Sequence, residues 1–176
     1  MEKAENSSFN ILRSTFQCCH NLQYWRCLPY LAFGAGAHGY ANGYRYSNVL
    51  RIKTFIERLT QQESGSIQYE FPLAPATVNH HKQTLHDDMS EFMMTGLRLT
   101  REGISFHEFE KRFGKSLYDE YGKEIDELLK SELIEQINPS LPPGDREAPR
   151  RGGPGVRVRL TPRGRLLGNQ VFMQFV

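Results

Sequence analysis

Two histidines, three cysteines and the only tryptophan of the chain fall within residues 18–38, all but Cys27 in the segments CCHNLQYW and YLAFGAGAHGY. A neutral imidazole is a good axial ligand for heme iron, and large aromatic rings suit a porphyrin plane through stacking and apolar contact. If HNLQYW is helical, His20 and Tyr24 share a face at i and i+4, with Trp25 next to them, while Asn21 can orient the ring or hold a propionate. The competing reading makes Tyr24 and Trp25 core aromatics and His20 a capping residue. Spacing alone favours that second reading.

Other combinations are weaker. Cys18, Cys19, His20 and Cys27 can be written as a metal set, but adjacent side chains point apart, whereas structural zinc sites use pairs two to four residues apart. No run suits an iron–sulfur cluster either. Adjacent cysteines rarely bridge and the count is odd, so no disulfide framework is expected; ligation of heme by one of the thiols stays open. His80, His81 and His86 lie near Asp87, Asp88 and Glu91, yet no two of these histidines are spaced i and i+4, and a solvated helix face is the better reading. Arg157, Arg159, Arg163 and Arg165, with Arg150 and Arg151, can grip phosphates. The acids Asp119, Glu120, Glu124, Asp126 and Glu127 on a neighbouring helix make a nucleic-acid partner unexpected. No nucleophile triad, phosphate loop or paired catalytic carboxylates can be defended, and GAGAHG lacks the spacing and later acid of a dinucleotide fingerprint.

The elements that must position these residues follow from pattern. The chain has 176 residues, 39% of them apolar, with a net charge of +2, which is enough for one medium domain or two small ones and gives no field favouring nucleic acid or membrane. It shows neither a signal peptide nor a run approaching the roughly 20 apolar residues of a membrane span, so a soluble, cytoplasmic protein is expected. Residues Tyr30 to Ala37 read as a strand buried on both faces, as in a parallel sheet, ended by Gly34, Gly36 and Gly39. Ser47-Asn48 precede an amphipathic helix through Val49, Ile52, Phe55, Ile56 and Leu59. The turn-rich stretch ESGSIQYEFPLAPATVN suggests a boundary near residue 76.

From His81 a long helix is predicted, with Leu85, Met89, Phe92, Met93 and Leu97 as its stripe. Ser105 opens a short helix with a capping-box pattern to Glu108, closed by Gly114. A third helix carries Leu117, Tyr121, Ile125, Leu128 and Leu129 inward. LIEQI and VRVRL read as paired strands flanking a loop dense in proline, glycine and arginine, which is expected to be mobile. Thr161-Pro162 then caps a final helix. This order describes a winged-helix-like module.

The segments HNLQYW, YLAFGAGAHGY, GYRYSNV, GLRLTREGISFHEFEKRFG and VRLTPRGRLLGNQVFMQF, in that order, resemble the C-terminal half of HemW-like proteins, radical SAM proteins often labelled oxygen-independent coproporphyrinogen III oxidase-like. The resemblance runs from about Cys18 to Val176. It implies an α+β chain: the terminal strand–helix piece of a partial radical SAM (β/α) barrel over residues 1–75, then a winged-helix-like C-terminal domain over 76–176. It implies heme binding by His20, Asn21, Tyr24 and Trp25, with His20 the candidate iron ligand, and delivery of heme to client proteins. Gly34, Gly36, Ala37 and His38 are implied to lie near the S-adenosylmethionine pocket of the complete family fold.

Three departures stand out. The cluster motif CxxxCxxC is absent, so the 4Fe-4S cluster, S-adenosylmethionine and radical chemistry are expected only in the full-length protein, and residues 1 to about 17 match poorly. The start is therefore expected to be that of a truncated gene model, a fragment or a pseudogene product. Gly39 also stands where the family commonly has serine. The first 60 or so residues are expected to fold poorly alone. The alternatives are part of an oxygen-independent coproporphyrinogen III dehydrogenase of porphyrin biosynthesis, or a winged-helix nucleic-acid-binding module. Peripheral membrane association and the oligomeric state stay open.

Overall fold

The computed structural model describes residues 18–61, 68–138 and 155–176. The expectations for residues 1–17 and for most of the Pro/Arg/Gly loop, including Arg150 and Arg151, lie outside the described residues.

Helix α1, Cys19–Trp25, carries the HNLQYW segment. Cys27 leaves it in the left-handed region at φ 47, and the N–H groups of Cys27 and Leu28 return to the carbonyls of Tyr24 and Gln23. That is a Schellman closure with cysteine in the place glycine usually takes.

The expected buried parallel strand over Tyr30 to Ala37 is not formed. Tyr30 makes an isolated antiparallel bridge to Tyr40, Leu31 and Phe33 are exposed, and Gly34 and Gly36 turn the backbone with φ of 97 and 71. The apolar run is short and its glycines break the extended path, so a continuous strand cannot persist. The strands begin later, as β1 (His38–Ala41) and β2 (Tyr44–Asn48), joined by Asn42-Gly43. Both turn residues have positive φ, 49 and 75, the requirement of a tight type I′ hairpin.

Helix α2, Ile52–Thr60, starts after Arg51 rather than at Ser47-Asn48, because those two residues are in the ladder of β2. Its Ile52, Ile56 and Leu59 are exposed. The helix expected from His81 also starts later. Thr77–Lys82 form β3, which pairs antiparallel with β2, so the sheet order is β1-β2-β3 and strand pairing extends past residue 76. His80 and His81 therefore stand on a strand, not on a helix face.

The rest agrees closely with the pattern. Helix α3 (Leu85–Gly96) opens with a reciprocal capping box between Thr84 and Asp87. A two-residue strand β4 (Ile104–Ser105) precedes α4 (Phe106–Phe113), where the Ser105 hydroxyl accepts from the Glu108 N–H and Gly114 closes the helix at φ 68. Helix α5 (Leu117–Lys130) kinks at Tyr121 and leads to β5 (Ile134–Ile137), which pairs with β6 (Arg157–Leu160). The second sheet is antiparallel in the order β4-β6-β5. Thr161 caps α6 (Pro162–Leu166), and the expected single final helix is instead broken into α6, α7 (Gly168–Phe172) and a 3₁₀ turn, Met173–Phe175. The break lets Val171, Phe172 and Phe175 all turn into one core with Met93, Leu97, Phe109, Ile125 and Val158.

Candidate functional site

Helix α1 divides its motif between two faces. At 100° per residue, His20 and Tyr24 point one way while Leu22 and Trp25 point roughly the other. His20 is exposed, and its Nε2 lies 3.1 Å from the Tyr24 hydroxyl, the two rings meeting edge to face at 4.7 Å. Tyr24 in turn meets Tyr30 edge to face at 4.4 Å. Asn21 is exposed at the helix surface.

Tyr30 is held by a charged bracket. The Arg45 guanidinium donates to the Tyr30 hydroxyl at 2.6 Å, lies 4.3 Å over the Tyr40 ring, and makes a two-pronged ion pair with Glu91 of α3. Gln83 adds a further donor to Glu91, and the Tyr40 hydroxyl donates to Asp88 at 2.8 Å. Burial, then the hydrogen bond to Asp88 and its charge, push the Tyr40 phenol up to about 12. Arg45 also rises: burial alone would lower it, but the hydrogen bonds to Glu91 and the charge of that carboxylate prevail. His20 is thus linked through Tyr24, Tyr30 and Arg45 to Glu91 on α3.

Other contacts fasten the base of α1. The Cys27 thiol meets the Thr95 hydroxyl at 3.0 Å, and burial raises the thiol above its ordinary value. Arg112 donates to the carbonyls of Arg26 and Cys27, and one guanidinium nitrogen of Arg26 donates to both carboxylate oxygens of Glu102 at 3.1 Å. Trp25 lines a cavity of about 410 Å³ against Phe92, Leu99 and Ile104. The structure therefore brings His20 and Tyr24 together and turns Trp25 to the C-terminal module.

The GAGAH turn is built into the edge of the first sheet. Gly36 N–H donates to Val49 O, and the Asn48 amide donates to the carbonyls of Gly34 and Ala32. Ala37 accepts from the Asn48 N–H. His38 is exposed and lines a groove of about 560 Å³ with Tyr30, Ser47, Asn79 and His81. Gly39 lies directly beneath the Tyr46 ring, where a Cβ would collide with it. Serine cannot stand there unless Tyr46 moves. Among the described residues no group of three or more His, Cys, Asp or Glu side chains could hold a metal ion.

Sequence reasoning missed Arg45 and Glu91 as a pair. GYRYSNV contained the arginine, but the acid that fixes it is 46 residues away. The β2–β3 pairing, which sets Arg45 opposite His81, and the turn into α3 bring them together.

The comparisons with known proteins agree with this architecture. Residues 83–145 match the family described as HemN C-terminal domain. A solved structure described as coproporphyrinogen III oxidase (HemN) from Escherichia coli, a radical SAM enzyme, shares the fold with a TM-score of 0.55 at 14% identity, over 84% of this chain and 28% of that one. The chain is thus of the HemN-related class in fold. More particularly, it is similar to the C-terminal half of a HemW-like protein. It is 33% identical over 167 residues to the heme chaperone HemW of Bacillus subtilis (strain 168), covering 95% of this chain and 36% of that relative. It is 29% identical to the heme chaperone HemW of Lactococcus lactis subsp. lactis (strain IL1403), over 92% of this chain and 34% of the relative. The chain spans about a third of the length of these relatives.

Proposed function

We propose that this chain is the C-terminal portion of a HemW-like heme chaperone, that it binds heme through the HNLQYW segment, and that His20 supplies the iron ligand. The observation that carries the reading is the exposed His20 imidazole, oriented by Tyr24 and braced through Tyr30 and Arg45 to Glu91. An axial ligand must be accessible to a flat macrocycle and present an unprotonated ring nitrogen, and a second group that orients the imidazole selects which nitrogen faces outward. Tyr24 is that group here. The residues fit heme: bound heme supplies the iron, and the chain supplies the imidazole, the aromatic side wall of Tyr24 and the polar tip of Asn21.

A barrel-end segment followed by a C-terminal domain belongs to the same reading, with the division expected between residues 75 and 76 moved to about residue 83, because Thr77–Lys82 pair with β2 in the first sheet. So does the winged-helix-like character of the C-terminal domain, supported by the order α3-β4-α4-α5-β5-β6 and the sheet order β4-β6-β5. We place S-adenosylmethionine near Gly34, Gly36, Ala37 and His38, and a 4Fe-4S cluster elsewhere, in the longer family fold. The chaperone's clients are heme-receiving proteins and its compartment is the cytoplasm. No helix among the described residues is long and apolar enough to cross a membrane. Nucleic acid is not the partner, because α5 presents Asp119, Glu120, Glu124, Asp126 and Glu127, which repel phosphates.

Titration with hemin tests this. The intact chain is expected to develop a saturable Soret band whose position shifts in His20→Ala. An identical band and affinity in that variant would remove His20 from the site, and no saturable band in the parent chain would overturn heme binding itself.

A further inference from the structure

The face of α1 opposite His20 forms a second feature that the iron-ligand reading does not use. Leu22 and Trp25 wall a cleft of about 340 Å³ whose far side is Leu99, and whose charged lining is Arg98, Arg101 and Glu102. It continues past Trp25, Leu99 and Glu102 into the neighbouring cavity of about 410 Å³. Both carboxylate oxygens of Glu102 already accept from one guanidinium nitrogen of Arg26. Among the described residues neither Arg98 nor Arg101 has a carboxylate partner; Arg98 lies 4.6 Å over the Phe172 ring, and Arg101 is exposed. One exposed guanidinium without a carboxylate partner, that of Arg101, therefore lines a cleft containing the only tryptophan in the chain, with Arg98 beside it resting over Phe172.

We propose that this cleft is a separate seat for a flat apolar ligand bearing carboxylates, namely the propionate edge of a porphyrin, with Arg98 and Arg101 holding the carboxylates and Trp25 packing on the ring. The ligand class rests on the heme-binding reading above; the site does not depend on His20. Guanidinium forks match carboxylates in shape and charge, and indole is a large stacking surface. Positions 20 and 25 diverge by about 140° around the helix, so a macrocycle in the cleft does not lie under His20. Recognition here is consequently independent of iron.

Metal-free protoporphyrin IX separates the two sites, because it keeps the propionates and offers no iron to an imidazole. It is expected to quench Trp25 fluorescence saturably in the intact chain. Arg101→Ala, at an exposed position, is expected to weaken that binding by about tenfold, the loss of one charge-assisted pair. Arg98→Lys, which keeps a charge against Phe172, is expected to weaken it less. His20→Ala is expected to leave it unchanged, and octaethylporphyrin, which lacks carboxylates, to bind at least about tenfold more weakly. Absence of saturable quenching, quenching indifferent to Arg101, or quenching lost in His20→Ala would each overturn the proposal. A His20-dependent Soret band alongside failed quenching leaves heme ligation standing while this site falls; the reverse pattern does the opposite.

Discussion

The first sheet with α1 and the C-terminal helical module are held by different forces. The module has one contiguous apolar core in which Met93, Leu97, Phe109, Ile125, Val158 and Val171 are essentially without solvent exposure. The β1-β2-β3 sheet has no comparable centre. Its buried side chains are mainly tyrosines, and it is fastened to α3 by the pairs Arg45–Glu91 and Tyr40–Asp88, while Cys27–Thr95 and the Arg112 contacts secure α1. Apolar burial is cooperative and non-directional, whereas a polar bracket fails when one partner is removed. The site proposed at His20 is thus carried by the more fragile of the two regions.

The largest way to break this contrast lies in the core. Phe109→Ala is expected to cost about 3–5 kcal/mol, because Phe109 is fully buried among Phe92, Phe113 and Tyr121, and thermal melting should show it across both regions. Glu91→Gln should act locally. It leaves Arg45 partly buried without its counter-charge, costing about 1–3 kcal/mol, and amide exchange should quicken in β1 and β2 more than in α4 and α5. Equal loss of protection in both would show that the bracket is not a separate fastening.

Gly39→Ser forces the Tyr46 ring away, and with it the hydrogen bond from the Ala32 N–H to the Tyr46 hydroxyl; about 1–3 kcal/mol is expected by chemical denaturation.

Alkaline pH offers a gentler probe. Tyr40 titrates at about 12 in the folded chain against an ordinary 10.0, so the folded state binds its proton more tightly. Its contribution is complete below pH 10.0 and is lost as pH rises toward 12, and Tyr40→Phe should flatten that part of the stability profile. At the acid end Asp87 titrates at about 2 against an ordinary 3.8, chiefly through the Thr84 N–H, then His81 and the Thr84 hydroxyl. Its contribution is present above 3.8 and disappears as pH falls through 2, which Asp87→Asn should reveal as a fraying of α3.

The smallest expected effect is chemical. Cys18 and Cys19 should alkylate rapidly under native conditions while Cys27, buried and with its thiol pushed up, should lag.

How much was legible follows the same division. The stripes of α3, α4 and α5, the Ser105 and Thr161 caps, Gly114 and the β5–β6 pairing are written in local periodicity and turn chemistry, which survive because one apolar core rewards them. The first region is less legible because YLAFGAGA carries strand-like composition while Gly34 and Gly36, both at positive φ, break the extended path. The Asn42-Gly43 turn was a usable signal for the hairpin. His20 and Tyr24 at i and i+4 predicted their contact correctly, but the opposite facing of Trp25 emerges only when helical phase meets the position of Leu99 and Phe92. The Arg45–Glu91 bracket had no local signature, since its partners meet only through tertiary structure.

The central claim, that His20 ligates heme iron, is tested most directly by resonance Raman spectroscopy of the heme-loaded chain in the ferrous state, where an iron–histidine stretch reports the bond itself. The account predicts that band in the parent chain, its disappearance in His20→Ala, and a shift in Tyr24→Phe as the imidazole loses its orienting hydroxyl. A band that persists unchanged in His20→Ala would contradict it.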